Sequence, residues 1–290
     1  MKFLHKIFNK AQKDPNEIAI CSREKISYRV MWKKASNLAF FFKEKKIDRI
    51  CILQSEKDDY ACYIIMLASL ISGGTYIPVN NSTPINRIKQ IIKSSKADIL
   101  ISKKKINTNF KCKEFFFDQI LKQKKEKNIS INNSKKDAYI IFTSGSTGHP
   151  KGVRISRKSL DHYILWISQK FFNDKVIKCS QHPGIGFDLS VADIFGTLAA
   201  GGTLYPIQNA YDKLFLNKFI KRNKLTHWVS VPSVINLIFD TNFFKKNDVK
   251  SLKKMFFCGE TLKKLHLQMI WGVQLNFRQM QIPANMKIVQ

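Results

Sequence analysis

Short apolar runs alternate with segments of helical pattern along most of this 290-residue chain. The runs typical of strands are 49–54, 75–79, 97–101, 139–142, 202–207, 227–231 and 254–258. Helical patterns fill the spaces between them, as at 60–71 and 159–170. Parallel strands need such crossover helices, whereas antiparallel strands are joined by short turns. The pattern therefore predicts an α/β fold with parallel-rich sheets and flanking helices.

The spacing of these runs divides the chain into two similar halves. Residues 102–136 are rich in lysine and asparagine, and we interpret them as a variable excursion between the halves. We predict a first α/β subdomain at 1–130 and a second at 131–266. Residues 267–290 contain five glutamines, one lysine and no Asp or Glu. We expect an aberrant tail there, produced by a frameshift or deletion near His266.

The chain carries a formal net charge of +29, from 50 Lys and Arg against 21 Asp and Glu. Such a charge raises the possibility of a nucleic-acid or anionic-membrane partner. The excess is mostly lysine spread along the chain, and no zinc-finger, RRM or helix-turn-helix motif accompanies it. We therefore expect compositional drift and no nucleic-acid partner, with a nucleic-acid binder as the alternative.

The cysteines show neither a C-x-x-C pair nor metal-ligand spacing. Free thiols in a reducing cytoplasm are the expectation for such a set. The longest apolar run, 60–71, is too short to span a bilayer. We expect a cytoplasmic protein with no membrane span and no metal site built from these residues: Cys21, Cys51, Cys62, Cys112, Cys179 and Cys258.

One strand-like run opens directly into a loop of hydroxyls and glycines, Y-I-I-F-T-S-G-S-T-G-H-P-K-G-V at 139–153. Glycines let the backbone approach a ligand, and successive N–H groups can form an anion-binding nest. Hydroxyls and a lysine add donors and charge. The spacing is not that of a Walker A loop. The candidate phosphate-binding residues are Thr143, Ser144, Gly145, Ser146, Thr147, Gly148 and Lys151.

This loop resembles the phosphate-binding signature of the adenylate-forming (AMP-binding) superfamily, which includes acyl-CoA synthetases, luciferases and amino-acid-activating domains. Four further segments resemble elements of the amino-acid-activating members in order and approximate spacing. They are S-G-G-T-Y-I-P-V-N at 72–80, F-D-L-S at 187–190, W-V-S-V-P-S-V-I at 228–235 and M-F-F-C-G-E-T-L at 255–262. The resemblance covers roughly 1–265. It implies an incomplete large N-terminal domain of the adenylate-forming fold, with the small C-terminal domain absent.

The resemblance also implies roles for individual residues. Asp188 of F-D-L-S would pair with the α-ammonium of an amino acid, unless it only caps the helix that follows. Cys258 would lie near the substrate side chain, as in the F-C-G-E stretch of D-alanine carrier-protein ligases, or it is a buried small hydrophobe. Gly259 and Glu260 would border the adenine. ATP and Mg²⁺ are the implied cofactors.

The implied reaction is ATP-dependent activation of an amino acid as aminoacyl-AMP, for loading onto a carrier-protein thiol. The family's later N-x-Y-G-P-T-E segment, ribose-binding Asp and adenylation lysine have no counterpart here, so no catalytic residue is assigned. We expect weak or absent activity and poor solubility for this chain alone. The alternatives are a fragment of an acyl-acid or aryl-acid CoA ligase and a non-catalytic nucleotide-binding remnant.

Overall fold

The computed structural model describes the chain except residues 55–59, 104, 107–108, 111, 122–129, 133–135, 145–149, 208, 240–244, 265, 267–268 and 270–290. Its α-helices are α1 (Lys2–Lys13), α2 (Tyr28–Glu44), α3 (Ala61–Ser72), α4 (Ile85–Ser95), α5 (Phe117–Leu121), α6 (Arg157–Lys170), α7 (Thr197–Ala199), α8 (Ala210–Leu214), α9 (Leu216–Asn223) and α10 (Val234–Phe239). A π-helical turn (Ala192–Gly196) runs directly into α7, and a short 3₁₀ turn spans Lys246–Asp248.

The strands are β1 (Ile18–Cys21), β2 (Lys25–Ser27), β3 (Arg49–Leu53), β4 (Thr75–Val79), β5 (Ile99–Ser102), β6 (Lys113–Phe116), β7 (Asp137–Ser144), β8 (Pro150–Ser156), β9 (Lys178–Gln181), β10 (Thr203–Pro206), β11 (His227–Ser230) and β12 (Lys254–Phe257). They form two six-stranded sheets. Sheet I has the order β6-β5-β3-β4-β7-β8, and sheet II has the order β12-β11-β9-β10-β1-β2. Only β8 and β2 run antiparallel to their neighbours among these described strands.

The α/β prediction with parallel-rich sheets is confirmed. Both sheets draw strands from either side of residue 130, because β7 and β8 join sheet I while β1 and β2 join sheet II. The division into subdomains at 130 stays a prediction. The excursion at 102–136 contributes more than a linker, because β6 pairs with β5 and α5 follows it. The apolar cluster of Phe115 and Phe117 explains this, since both rings pack against the core.

Local sequence explains where several elements begin and end. The Oγ of Ser156 accepts from the backbone N–H of Ser159 at 3.0 Å and caps α6. Helix α3 is buried at every position, as a helix between layers must be. It ends at Gly73, whose φ of +92° is the left-handed conformation that glycine adopts at low cost. The strand β4 then starts two residues later.

One large apolar cluster links the two sheets. It includes Ile50 and Tyr139 of sheet I together with Ile20, Leu204 and Phe256 of sheet II. Smaller clusters cover the outer faces, one around Trp228 and one between β3 and α4. The layers are therefore held by a shared core, and this core fixes how the strand ends of the two sheets face each other.

Candidate binding site at the carboxyl ends of the strands

Asp188 lies in an exposed turn that follows β9 at the carboxyl end of sheet II. The Oγ of Ser190 donates to the carbonyl of Phe187 at 2.7 Å and closes this turn. The chain then enters the π-helical turn, whose first residues receive no side-chain cap. Both readings of Asp188, as a cap and as a binding residue, stay predictions.

The Asp188 carboxylate is instead engaged from the other sheet. The hydroxyl of Tyr139, on β7, donates a hydrogen bond to its Oδ1. Tyr139 is only 2% exposed, and its ring stacks on that of Tyr76 with centroids 5.2 Å apart. Burial raises the pKa of the Tyr139 phenol well above its usual value, and the charge of Asp188 raises it further. The phenol therefore stays protonated and acts as a donor.

Cys258 lies close enough to Asp188 for the charge of Asp188 to act on its thiol. It follows β12 at the same carboxyl edge and is half-buried. Burial and then the charge of Asp188 raise the pKa of its thiol. Burial also raises the pKa of the Tyr163 phenol, and the nearby Cys258 and Asp188 side chains add to the shift. Cys258 is therefore held as a neutral thiol, which fits a pocket wall and not a nucleophile.

The predicted phosphate loop falls partly outside the described residues, because Gly145, Ser146, Thr147 and Gly148 are not described. Its two ends are. Thr143 pairs with Lys151 across the β7–β8 hairpin, and both residues are exposed. The described ends of the predicted loop therefore lie on the paired strands β7 and β8. The sequence pattern missed β8, which separates the loop from α6.

Gly259 and Glu260 form a turn just beyond β12. Gly259 has a φ of +89°, which explains a glycine at this point. The carboxylate of Glu260 accepts from the backbone N–H of Ser233 at 2.8 Å and from its Oγ at 3.0 Å. Glu260 therefore ties the segment after β12 to the segment after β11. The predicted adenine contact of these two residues stays a prediction.

A cleft of about 210 Å³ opens next to the Asp188 turn. Its lining includes Gln54, Asn80, Gln181, His182, Phe187 and Lys213. Asn80, just after β4, accepts from the backbone N–H of Gly186 at 2.9 Å. A Cβ at Gly184 would lie 2.6 Å from Oδ1 of Asn80, so only glycine permits this approach. The carboxyl ends of the two sheets thus meet at this cleft.

Three polar side chains at the site were missed from the sequence. Tyr139 is an apolar-run residue by pattern, and only its hydroxyl in an otherwise buried strand signals a polar partner. His182 accepts or donates a hydrogen bond with the Oγ of Ser230 at 2.9 Å. Burial and the charge of Lys213 lower the pKa of His182 to about 4, so it is neutral at physiological pH. Asn80 is the last residue of the 72–80 motif, to which no site role was assigned.

No group of three or more His, Cys, Asp or Glu side chains within the described part of the chain could hold a metal ion. Enzyme-bound Mg²⁺ is commonly held by substrate phosphates together with one or two carboxylates, so such a site requires fewer ligands from the protein. We assign no protein ligand to Mg²⁺.

None of the described helices has the length and apolar character needed to cross a membrane.

Comparison with known proteins shows which protein family this chain resembles. A family model described as "AMP-binding enzyme" matches residues 7–273, which is most of the chain. The D-alanine–D-alanyl carrier protein ligase of Lactococcus lactis is 30% identical over 281 residues, covering 91% of this chain and 55% of that protein. The ligase of the same name from Listeria monocytogenes is 35% identical over 214 residues, covering 69% and 42%.

Bacitracin synthase 3 of Bacillus licheniformis is 31% identical over 248 residues, covering 83% of this chain and 4% of that protein. This chain spans about half the length of the curated ligases it matches. The predicted resemblance is therefore confirmed, and the matched length shows that only part of such a ligase is represented here.

Solved structures agree on the fold. The nonribosomal peptide synthetase FmoA3, in its AMPPNP-bound form, superposes with a TM-score of 0.83 at 18% identity, covering 95% of this chain and 30% of that one. The N-terminal subdomain of Klebsiella oxytoca NpsA, in complex with 3-hydroxybenzoyl-AMSN, gives 0.80 at 20% identity, covering 94% and 70%. The predicted N-terminal adenylate-forming fold is confirmed. Because the family model matches residues 7–273 of this chain, the chain belongs to the AMP-binding enzyme family.

Proposed function

We propose that the intact enzyme activates an amino acid with ATP and loads it onto a carrier-protein thiol. The observation that carries this proposal is the Asp188 carboxylate, presented in an exposed turn and bonded to Tyr139 beside Cys258. A fixed carboxylate at a strand end selects a cationic group and rejects plain fatty acids. The named activity of the ligase relatives supports the same substrate class.

In the proposed reaction the amino-acid carboxylate oxygen bonds to the α-phosphorus of ATP, and the bond to the β-phosphate oxygen breaks. Pyrophosphate leaves and aminoacyl-AMP remains. The carrier thiolate then attacks the acyl carbon, and AMP leaves. Catalysis of such a step rests on positioning and on stabilising charge at phosphorus. Mg²⁺, bound through the phosphates, would supply charge neutralisation.

Within this proposal each site residue has one task. The Asp188 carboxylate pairs with the α-ammonium, and the Cys258 thiol lines the side-chain end of the pocket. The residues from Thr143 to Lys151 hold the β- and γ-phosphates. Gly259 and Glu260 border the adenine.

The thiols support a reducing compartment, because all six cysteines are free, and we propose the cytoplasm.

The test measures ligand binding, because the chain spans about half the length of the ligase relatives. D-alanyl sulfamoyladenosine, a stable mimic of D-alanyl-AMP, is compared by calorimetry with its propionyl counterpart, which lacks the amine. We expect the wild type to prefer the amine-bearing mimic. Asp188→Asn should weaken that mimic alone by about 10- to 100-fold, the value of a hydrogen bond to a charged group.

Asp118→Asn is the matched control, because it removes the same charge from an exposed position on α5, away from the site. Its affinities should equal those of the wild type. Equal binding of the two mimics by the wild type would refute the amino-acid proposal. Binding of both mimics without preference would favour the nucleotide-binding remnant.

A further inference from the structure

The hydrogen bond between Tyr139 and Asp188 bridges two sheets that meet at the site. Tyr139 is buried on β7 of sheet I, whereas Asp188 is exposed in the turn after β9 of sheet II. Oδ1 of Asp188 accepts from Tyr139, and Oδ2 makes no hydrogen bond with any residue that the structure describes. Oδ1 is thus held by the Tyr139 hydroxyl, and Oδ2 is left for a ligand.

The donor itself is rigid. The ring of Tyr139 stacks on Tyr76 at an interplanar angle of 23°, and Tyr76 packs in turn against Phe195 with centroids 6.4 Å apart. Tyr139 is 2% exposed, and a buried ring in such a stack has little rotational freedom. A buried, protonated hydroxyl can only donate to a carboxylate, so the position of Oδ1 follows the position of the Tyr139 ring.

We propose that Tyr139 is a positioning residue for amine recognition, because its hydroxyl fixes the Asp188 carboxylate in the orientation that pairs with the substrate ammonium. This inference rests on the proposed function, since it concerns the same site. An exposed carboxylate in a turn would otherwise sample several rotamers, and ordering it on binding would weaken affinity. Pre-organisation by Tyr139 removes that cost before the ligand arrives.

A purely structural role gives a different outcome. If the bond only ties sheet I to sheet II, its loss lowers stability and weakens both the amine-bearing and the amine-free mimic equally. If the bond positions Asp188 for an ammonium, its loss weakens only the amine-bearing mimic. The selectivity between the two mimics therefore separates the two roles.

The experiment compares Tyr139→Phe with Tyr76→Phe. Both changes delete one hydroxyl from a buried ring of the same stack, but the hydroxyl of Tyr76 has no hydrogen-bond partner among the described residues. We expect Tyr139→Phe to weaken D-alanyl sulfamoyladenosine about tenfold and to leave the propionyl mimic unchanged. Tyr76→Phe should leave both affinities unchanged.

Thermal unfolding of each variant is recorded first. The Asp188→Ala background provides a second measurement, in which adding Tyr139→Phe should change neither affinity further. Equal weakening of both mimics, or no change in either, overturns the inference. The wild type tests the proposed function separately: if it shows no preference for the amine, both proposals fail, whereas a wild-type preference retained in Tyr139→Phe defeats this one alone.

Discussion

Asp193 is a buried carboxyl five residues beyond Asp188, in the π-helical turn that follows. It is fully buried, and neither oxygen makes a well-formed hydrogen bond with a described residue. The nearest donors are the backbone N–H groups of Ile194 and His182. Burial outweighs these donors and raises the pKa of Asp193 well above its ordinary value. The folded protein therefore keeps this side chain as a neutral acid.

The raised pKa makes stability depend on pH. Between the unfolded pKa, near 3.8, and the folded pKa, the folded state binds more protons than the unfolded state. Its stability therefore falls as the pH rises through that window. Asp193→Asn removes the titration, so its advantage over the wild type should grow by about 1.4 kcal/mol per pH unit there. Unfolding at pH 5 and pH 8 checks this. A constant difference between the two proteins would contradict it.

At the scale of elements, the π-helical turn Ala192–Gly196 sets the direction in which the chain leaves the site. π-Turns are rare and occur frequently at functional sites. Gly196 ends this turn against α6 and the segment beyond it. A Cβ built there would lie 2.6 Å from Cε2 of Phe172 and 3.1 Å from Cγ2 of Ile167. The close packing of these elements thus requires a residue without a side chain.

Gly196→Ala tests this packing. Alanine gains up to about 1 kcal/mol of helix propensity over glycine. Overpacking of a filled core costs about 1–3 kcal/mol, and an overlap with a fully buried ring belongs at the upper end. We expect a net loss of about 1–2 kcal/mol in the free energy of unfolding, measured by urea denaturation. An unchanged or raised midpoint would show that Phe172 moves aside freely.

At the scale of the whole molecule, one large apolar cluster is shared by the two sheets, and a smaller cluster covers the outer face of each. Tyr28 of α2 adds a polar link, because its hydroxyl donates to the carbonyl of Gly202, just before β10, at 2.7 Å. Contacts of this kind raise the free energy of unfolding one sheet alone, because that unfolding would expose the apolar face of the other sheet.

The shared core predicts a single cooperative unfolding transition. Far-UV circular dichroism reports on both sheets, and tryptophan fluorescence reports on Trp32 of α2, Trp166 of α6, Trp228 of β11 and Trp271. We expect the two signals to change at the same urea concentration. Two separated transitions would instead indicate that the predicted subdomains at 1–130 and 131–266 unfold independently.

Several features were within reach of the sequence because they are local. The strands β3 and β4 follow from apolar runs bounded by polar residues and glycines. Asp188 and Cys258 were proposed as site residues because each lies in a short motif that resembles one of the family; these roles stay predictions. Helix α2 was not predicted. The strand β8 was missed because its K-G-V-R pattern is exposed and weakly apolar.

The sequence by itself determined the α/β class, the family and the strand ends that carry candidate site residues, because periodicity and motifs are properties of neighbouring residues. Only the tertiary structure decided which sheet each strand joins and which side chains face each other. Tyr139 and Asp188 are 49 residues apart; one lies on a strand of sheet I, and the other lies in the turn that follows β9 of sheet II. Their contact depends on how the shared core stacks the two sheets, and no local pattern encodes that arrangement.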